Sequence, residues 1–224
     1  MKNKKSIIAL SLWAAATVLI TLSTAQADNR KFYVAANAGL SLQQKTSFNY
    51  ASGANVKTDF DNGYGLSASF GYDTGKIWSL GGFRPEIEVG YRESDVNTHR
   101  LNGGSPLAGP TGRVSNLYAM ANIIHDFHTG SKFTPYLGAG LGIARVDASG
   151  FGVSAIPAVL SDKDNALAYQ AIAGVSYQLN NKTALTLDYR YFATEKAKVQ
   201  SAVGNNTEIR NATNNVTVGV RYGL

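Results

Sequence analysis

Tyr64-Gly65-Leu66-Ser67-Ala68-Ser69-Phe70-Gly71-Tyr72 is the stretch from which the fold can be read. Its residues alternate with a period of two. Tyr64, Leu66, Ala68, Phe70 and Tyr72 form one set, and Gly65, Ser67, Ser69 and Gly71 the other. Successive side chains of a β-strand point to opposite faces. One face is therefore apolar and bounded by tyrosines, and the other is small and polar. The two tyrosines lie about 20 Å apart in height at ~3.3 Å per residue and ~40° tilt. The apolar band of a transmembrane barrel is about 25 Å tall and edged by aromatic girdles.

Seven further segments repeat the pattern, with no helical period among them. Outward from Tyr64–Tyr72, their apolar sets run Phe32–Leu42, Phe83–Tyr91, Leu117–Phe127, Phe133–Ile143, Tyr169–Tyr177, Leu185–Tyr191 and Val216–Leu224. His125 interrupts the fourth segment. The connections alternate between long and short, as they do in membrane barrels, whose periplasmic turns are short and external loops long. Asn180-Asn181-Lys182 has the composition of a short turn. The long loops are expected at Gln44–Asn62, Glu93–Arg113, Val146–Asn165 and Ala193–Asn214. An even strand number closes the sheet and leaves no free edge, as lipid requires. The expected fold is all-β: an eight-stranded antiparallel up-and-down transmembrane β-barrel.

With the chain starting on the periplasmic side, the aromatic residues fall at two levels. Phe32, Tyr72, Phe83, Phe127, Phe133, Tyr177 and Tyr222 fall at the inner level, and Tyr64, Tyr91, Tyr169 and Tyr191 at the outer. Two aromatic girdles are expected there. A soluble lipocalin-like carrier would carry its apolar residues inside and has no use for such girdles.

The amino terminus is an export signal in layout. Lys2, Lys4 and Lys5 precede the mostly apolar run Ile7–Leu22, and Ala25 and Ala27 frame a small-residue cleavage site. Residues 1–27 are expected to be a signal peptide and 28–224 the outer-membrane barrel domain. Cleavage after Ala27 removes three of the 21 Lys and Arg residues. It leaves 18 against 15 Asp and Glu, a net charge of +3. No basic stripe remains, so nucleic-acid binding has no support. The chain has no cysteine, which excludes disulfides and thiolate chemistry.

The motifs Met120-Ala121-Asn122, His125-Asp126-Phe127, Thr134-Pro135-Tyr136-Leu137-Gly138-Ala139-Gly140-Leu141-Gly142, Ala173-Gly174-Val175-Ser176-Tyr177 and Leu187-Asp188-Tyr189-Arg190-Tyr191 resemble the opacity-protein and surface-antigen class of OmpA-like outer-membrane barrels. Members of that class serve as adhesins, surface antigens, structural membrane proteins or narrow porins. Larger relatives add a periplasmic peptidoglycan-binding domain, which is not expected here. Thr217, Gly219, Tyr222 and Leu224 resemble the C-terminal insertion signal, with leucine where phenylalanine is usual. The resemblance implies outer-membrane lipids and lipopolysaccharide, periplasmic chaperones and the barrel-assembly machinery as partners. Host or surface ligands would bind through the four loops.

The inward set carries Arg84, Arg92, Arg190 and Arg221 against Glu86, Glu88, Asp126 and Asp188. The interior of a barrel this narrow is just wide enough for side chains to fill. A mutually satisfied plug is expected, with Glu86, Glu88 and Arg190 paired at mid-height and Asp126 with Arg221 below. A water-filled path, and hence a narrow porin, is the competing reading of the same charges. Catalysis has weaker support. Glu86 and Glu88 share one face of one strand without a substrate cleft, and His99 near Ser94, Asp95 and Ser105 lacks a rigid frame for a lipase triad. No metal-ligand spacing or cofactor motif is present; Gly138-x-Gly140-x-Gly142 lacks the strand-to-helix context of a phosphate loop.

Overall fold

A computed structural model describes residues 32–44, 46–49, 55–75, 81–101, 104–153, 156–195, 197–200, 206–209 and 211–224. The expected signal peptide, with its cleavage residues Ala25 and Ala27, lies outside the described residues. The strands are β1 (Phe32–Gln43), β2 (Thr46–Asn49), β3 (Asn55–Phe60), β4 (Asn62–Tyr72), β5 (Gly81–Leu101) and β6 (Thr111–Phe127), then β7 (Phe133–Val153), β8 (Ile156–Gln178), β9 (Thr183–Thr194), β10 (Ala197–Gln200), β11 (Asn206–Ile209) and β12 (Ala212–Gly223).

The protein is an all-β, antiparallel, barrel-like transmembrane fold. β4 pairs with β1 and β5, and each strand from β5 to β8 pairs antiparallel with the next. β9 then pairs with β12, which pairs with β1. The ladder thus returns to its starting strand, and its backbone donors and acceptors are used internally, as a lipid environment demands.

Short turns close one end. Between β8 and β9 the Asn180 side chain accepts the amides of Lys182 and Thr183, each at 2.9 Å. Between β4 and β5, Asp73 accepts the amide of Gly75 at 2.8 Å, and Gly75 takes φ +67°, open to glycine at little steric cost.

The opposite end differs from expectation. The four stretches Gln44–Asn62, Glu93–Arg113, Val146–Asn165 and Ala193–Asn214 were expected to be loops, yet much of each is strand. β5 continues to Leu101, β7 to Val153, and β8 begins at Ile156. The 44–62 and 193–214 stretches hold the hairpins β2–β3 and β10–β11. Backbone pairing to a neighbour already in place extends a ladder whatever the composition, so Gly, Ser and Asn do not stop it.

Side-chain parity follows the period of two. Leu141, Ile143, Val218, Leu117 and Ile87 are each at least 59% exposed on the outside. The inward set is buried and largely polar. Inward glycines stand in register with large inward side chains: Gly71 with Tyr33, Gly90 with Tyr118, Gly174 with Tyr136, and Gly142 with Met120. A Cβ at these glycines would strike the partner's ring or sulfur. Two small apolar clusters, Tyr118–Met120–Ala144–Ala168–Phe192 and Ile124–Tyr136–Ile172, complete the filling.

Candidate functional site

The interior is organised around Glu88, which is fully buried. Its carboxylate accepts Arg190 Nη1 at 2.8 Å to both oxygens, Asn122 Nδ2 at 2.8 Å, Gln170 Nε2 at 2.9 Å and the Tyr118 hydroxyl at 3.0 Å. These donors come from β6, β8 and β9. β5 and β9 are four pairings apart in either direction around the ladder, so the Glu88–Arg190 pair bridges opposite walls. Burying an ion pair is favourable only where further hydrogen bonds satisfy the remaining lone pairs, and here they do.

Neighbouring charges extend the network. Arg190 also donates through Nη2 to Asp188 at 2.9 Å. Asp188 accepts the Thr217 hydroxyl at 3.3 Å and the hydroxyl of Tyr136. Glu86 accepts the Tyr33 hydroxyl at 2.9 Å and Asn122 at 3.1 Å, so tyrosine and amide take the place expected of Arg190. Asp126 accepts Arg84 through Nε at 2.6 Å and Nη2 at 2.9 Å, not the expected Arg221. Arg84 and Asp126 lie diagonally on the adjacent strands β5 and β6, with Ile124 directly opposite Arg84, and the long guanidinium reaches the carboxylate in a fork-to-carboxylate fit. Arg221 instead lies over the Tyr33 ring at 5.6 Å. Arg92 lies over the adjoining rings of Tyr118 and Phe192, at 4.3 and 4.1 Å. Guanidinium planes stack well on aromatic faces.

Parity already placed Tyr33, Tyr118, Tyr136 and Phe192 inward. An aromatic residue one position out of step with the apolar set is the signal for them, and attention to the girdles alone passes over it.

The outward aromatics occur at two levels. Phe32 packs against Tyr72 at 5.0 Å and Phe70 at 5.6 Å, and Phe133 against Tyr177 at 4.8 Å. Phe83, His125 and Phe127 form a row at 4.8 and 4.6 Å, so His125 takes an aromatic's place in it. At the other level Tyr64 lies 6.4 Å from Tyr91, while Tyr169 is exposed and Tyr191 half-buried. Tyr222 carries the Lys182 ammonium over its ring at 5.6 Å. Of the other C-terminal residues, Gly219 stands opposite Asn37 and Leu224 donates its amide to Phe32 at 3.0 Å.

Beyond Tyr91 the extended strands carry a rim of ion pairs. Arg113 bonds Asp95 at 2.8 Å and Glu93 at 3.0 Å, and Arg100 bonds Asp59 at 2.6 Å. The hydrogen bond with Asp95 raises the Arg113 pKa above its ordinary value. His99 is held by Thr58 at 2.9 Å and the Thr111 carbonyl at 3.2 Å. Ser94 is buried and Asp95 exposed, on opposite faces of β5, so these two do not converge. Among the described residues no group of His, Cys, Asp and Glu is arranged to hold a metal ion.

Comparison with known proteins gives consistent results. The sequence model of the family described as outer membrane protein beta-barrel domain matches residues 12–222. Outer membrane protein PagN of Salmonella typhimurium is 25% identical over 178 residues, covering 72% of this chain and 73% of that protein. An uncharacterized protein of Brucella abortus is 30% identical over 193 residues, covering 69% of this chain and 67% of its own length. The crystal structure of Neisserial surface protein A superposes with a TM-score of 0.51 at 23% identity, covering 86% of this chain and 97% of that one.

Proposed function

Because the chain belongs to the outer membrane protein beta-barrel domain family, we propose that it is an eight-stranded, plugged scaffold whose four strand-extended hairpins display an adhesive or antigenic surface. It is a non-enzymatic outer-membrane surface protein of a Gram-negative bacterium. The crossing strands in this reading are β1, β4, β5, β6, β7, β8, β9 and β12, with both ends of the mature chain in the periplasm. The aromatic levels mark the two membrane interfaces, and the hairpins beyond Tyr64 and Tyr91 face outward.

The Glu88–Arg190 pair carries this reading. A buried ion pair that joins two opposite walls supports a filled interior at that height. Of the inward charges that a porin would present to solute, Arg84, Glu88, Asp126, Asp188 and Arg190 are spent on one another. Export through residues 1–27, delivery by periplasmic chaperones, insertion by the barrel-assembly machinery and lipopolysaccharide at the outer rim belong to the same proposal. The exposed apolar belt needs such handling to avoid aggregation in water.

Conductance in planar bilayers tests it. A folded barrel that shows no reproducible steps supports the plug. Regular steps that change with Glu88→Gln would replace it with the narrow-porin reading. Binding to host cells, compared with chains shortened at the 44–62 and 193–214 hairpins, tests the display role.

A further inference from the structure

A cleft of about 460 Å³ opens at the short-turn end, lined by Phe32, Tyr33, Asp73, Asn181, Arg221 and Gly223 among others. It sits between the start of β1, the end of β12 and the β8–β9 turn. Two cations line it, Arg221 and Lys182. Arg221 makes no ion pair among the described residues, and its Nη1 is shielded from water without a hydrogen-bond partner. The nearby inward carboxylate, Asp126, is already committed to Arg84. The Lys182 ammonium leans the other way, onto Tyr222. The cleft therefore joins one under-compensated guanidinium, the Lys182 side chain, two aromatic rings, the side-chain amides of Gln178 and Asn181, and the carboxylate of Asp73, which itself accepts the Gly75 amide.

We propose that this cleft binds the carboxylate terminus of a short periplasmic peptide against Arg221. A guanidinium offers a planar fork that matches a carboxylate. The rings of Phe32 and Tyr33 supply apolar contact for a side chain, and Asn181 an amide for peptide backbone. Asp73 disfavours a dianion such as phosphate and suits a singly charged carboxylate. The periplasmic source of the ligand rests on the orientation given above; the chemistry of the cleft does not.

The experiment titrates the folded chain in detergent micelles, where both mouths are open, with N-acetyl-alanyl-alanine. Binding is followed by calorimetry and by NMR of the arginine Nε–H groups. The expected result is saturable binding that moves the Arg221 resonance and leaves that of Arg84 in place. Replacing the peptide's carboxylate by an amide should weaken binding about tenfold or more, the size of a lost charge-assisted bond. Arg221→Gln should do the same, and Arg221→Lys should keep part of the affinity. Equal affinity for acid and amide, or no movement of Arg221 at millimolar peptide, overturns the proposal. Acetate binding as tightly as the peptide also overturns it, by reducing the site to a bare anion pocket. The acid–amide contrast uses the unmodified chain, so it stands even if the variants fail to fold. Micelle binding is independent of membrane orientation. Silence here with a non-conducting barrel would reject the cleft and keep the scaffold reading.

Discussion

Gly90 stands directly across the β5–β6 ladder from Tyr118, and the space above its Cα is filled by the Tyr118 phenol. The same phenol donates to Glu88 at 3.0 Å and accepts Arg92 at 3.1 Å. One missing side chain on β5 thus lets a tyrosine from β6 reach the charge network. Overpacking a filled interior costs about 1–3 kcal/mol. Gly90→Val should destabilise the barrel by that order, read as a lower urea midpoint in lipid vesicles. An unchanged midpoint would mean that Tyr118 has another place to go.

Glu88→Gln removes the charge that Arg190 meets across the interior. Breaking a buried, bonded pair from one side costs about 3–5 kcal/mol. Asp188 still bonds Arg190, so the loss should fall at the lower end of that range. Unfolding in vesicles measures it. Glu88→Gln combined with Arg190→Met should be less destabilised than Glu88→Gln alone, because no unpaired cation remains.

Truncating both ends of the bridge tests the plug itself. Glu88→Ala with Arg190→Ala removes the side chains that join β5 to β9. If they close the lumen, the double variant should show ion steps in a planar bilayer where the unmodified chain shows none. Silence from a folded double variant would place the block at another level, such as the Tyr118–Phe192 cluster.

The outward face should respond to charge by depth. Leu187 lies midway along β9 and is 49% exposed. An arginine at the midplane of such a barrel costs about 2–4 kcal/mol, against about 0–1 near an interface. Leu187→Arg should therefore lower the unfolding midpoint well below that of Leu42→Arg, near the outer end of β1. Equal effects would argue that the two aromatic levels do not bound the lipid.

Much of the architecture was legible in the sequence because a strand's side chains alternate without regard to context. Tyr64 to Tyr72 already shows which face is apolar and where it ends. The same parity turns Glu88 and Arg190 inward before any contact is known. The short turn at Asn180 was equally local, since its side chain bonds amides only two and three residues on.

Other features depend on strands that are distant in sequence. Which charges meet follows from the stagger of the closed ladder, which brings Arg84 to Asp126 and leaves Arg221 over Tyr33. Composition could not show that Glu93–Leu101 and Val146–Val153 are strand, because their order comes from paired neighbours, β3 and β6 for the first and β6 and β8 for the second, and not from their own propensity. Alternation along one strand determines which way a side chain faces. Only closure of the ladder, which sets the height of each strand against the others, decides what that side chain touches.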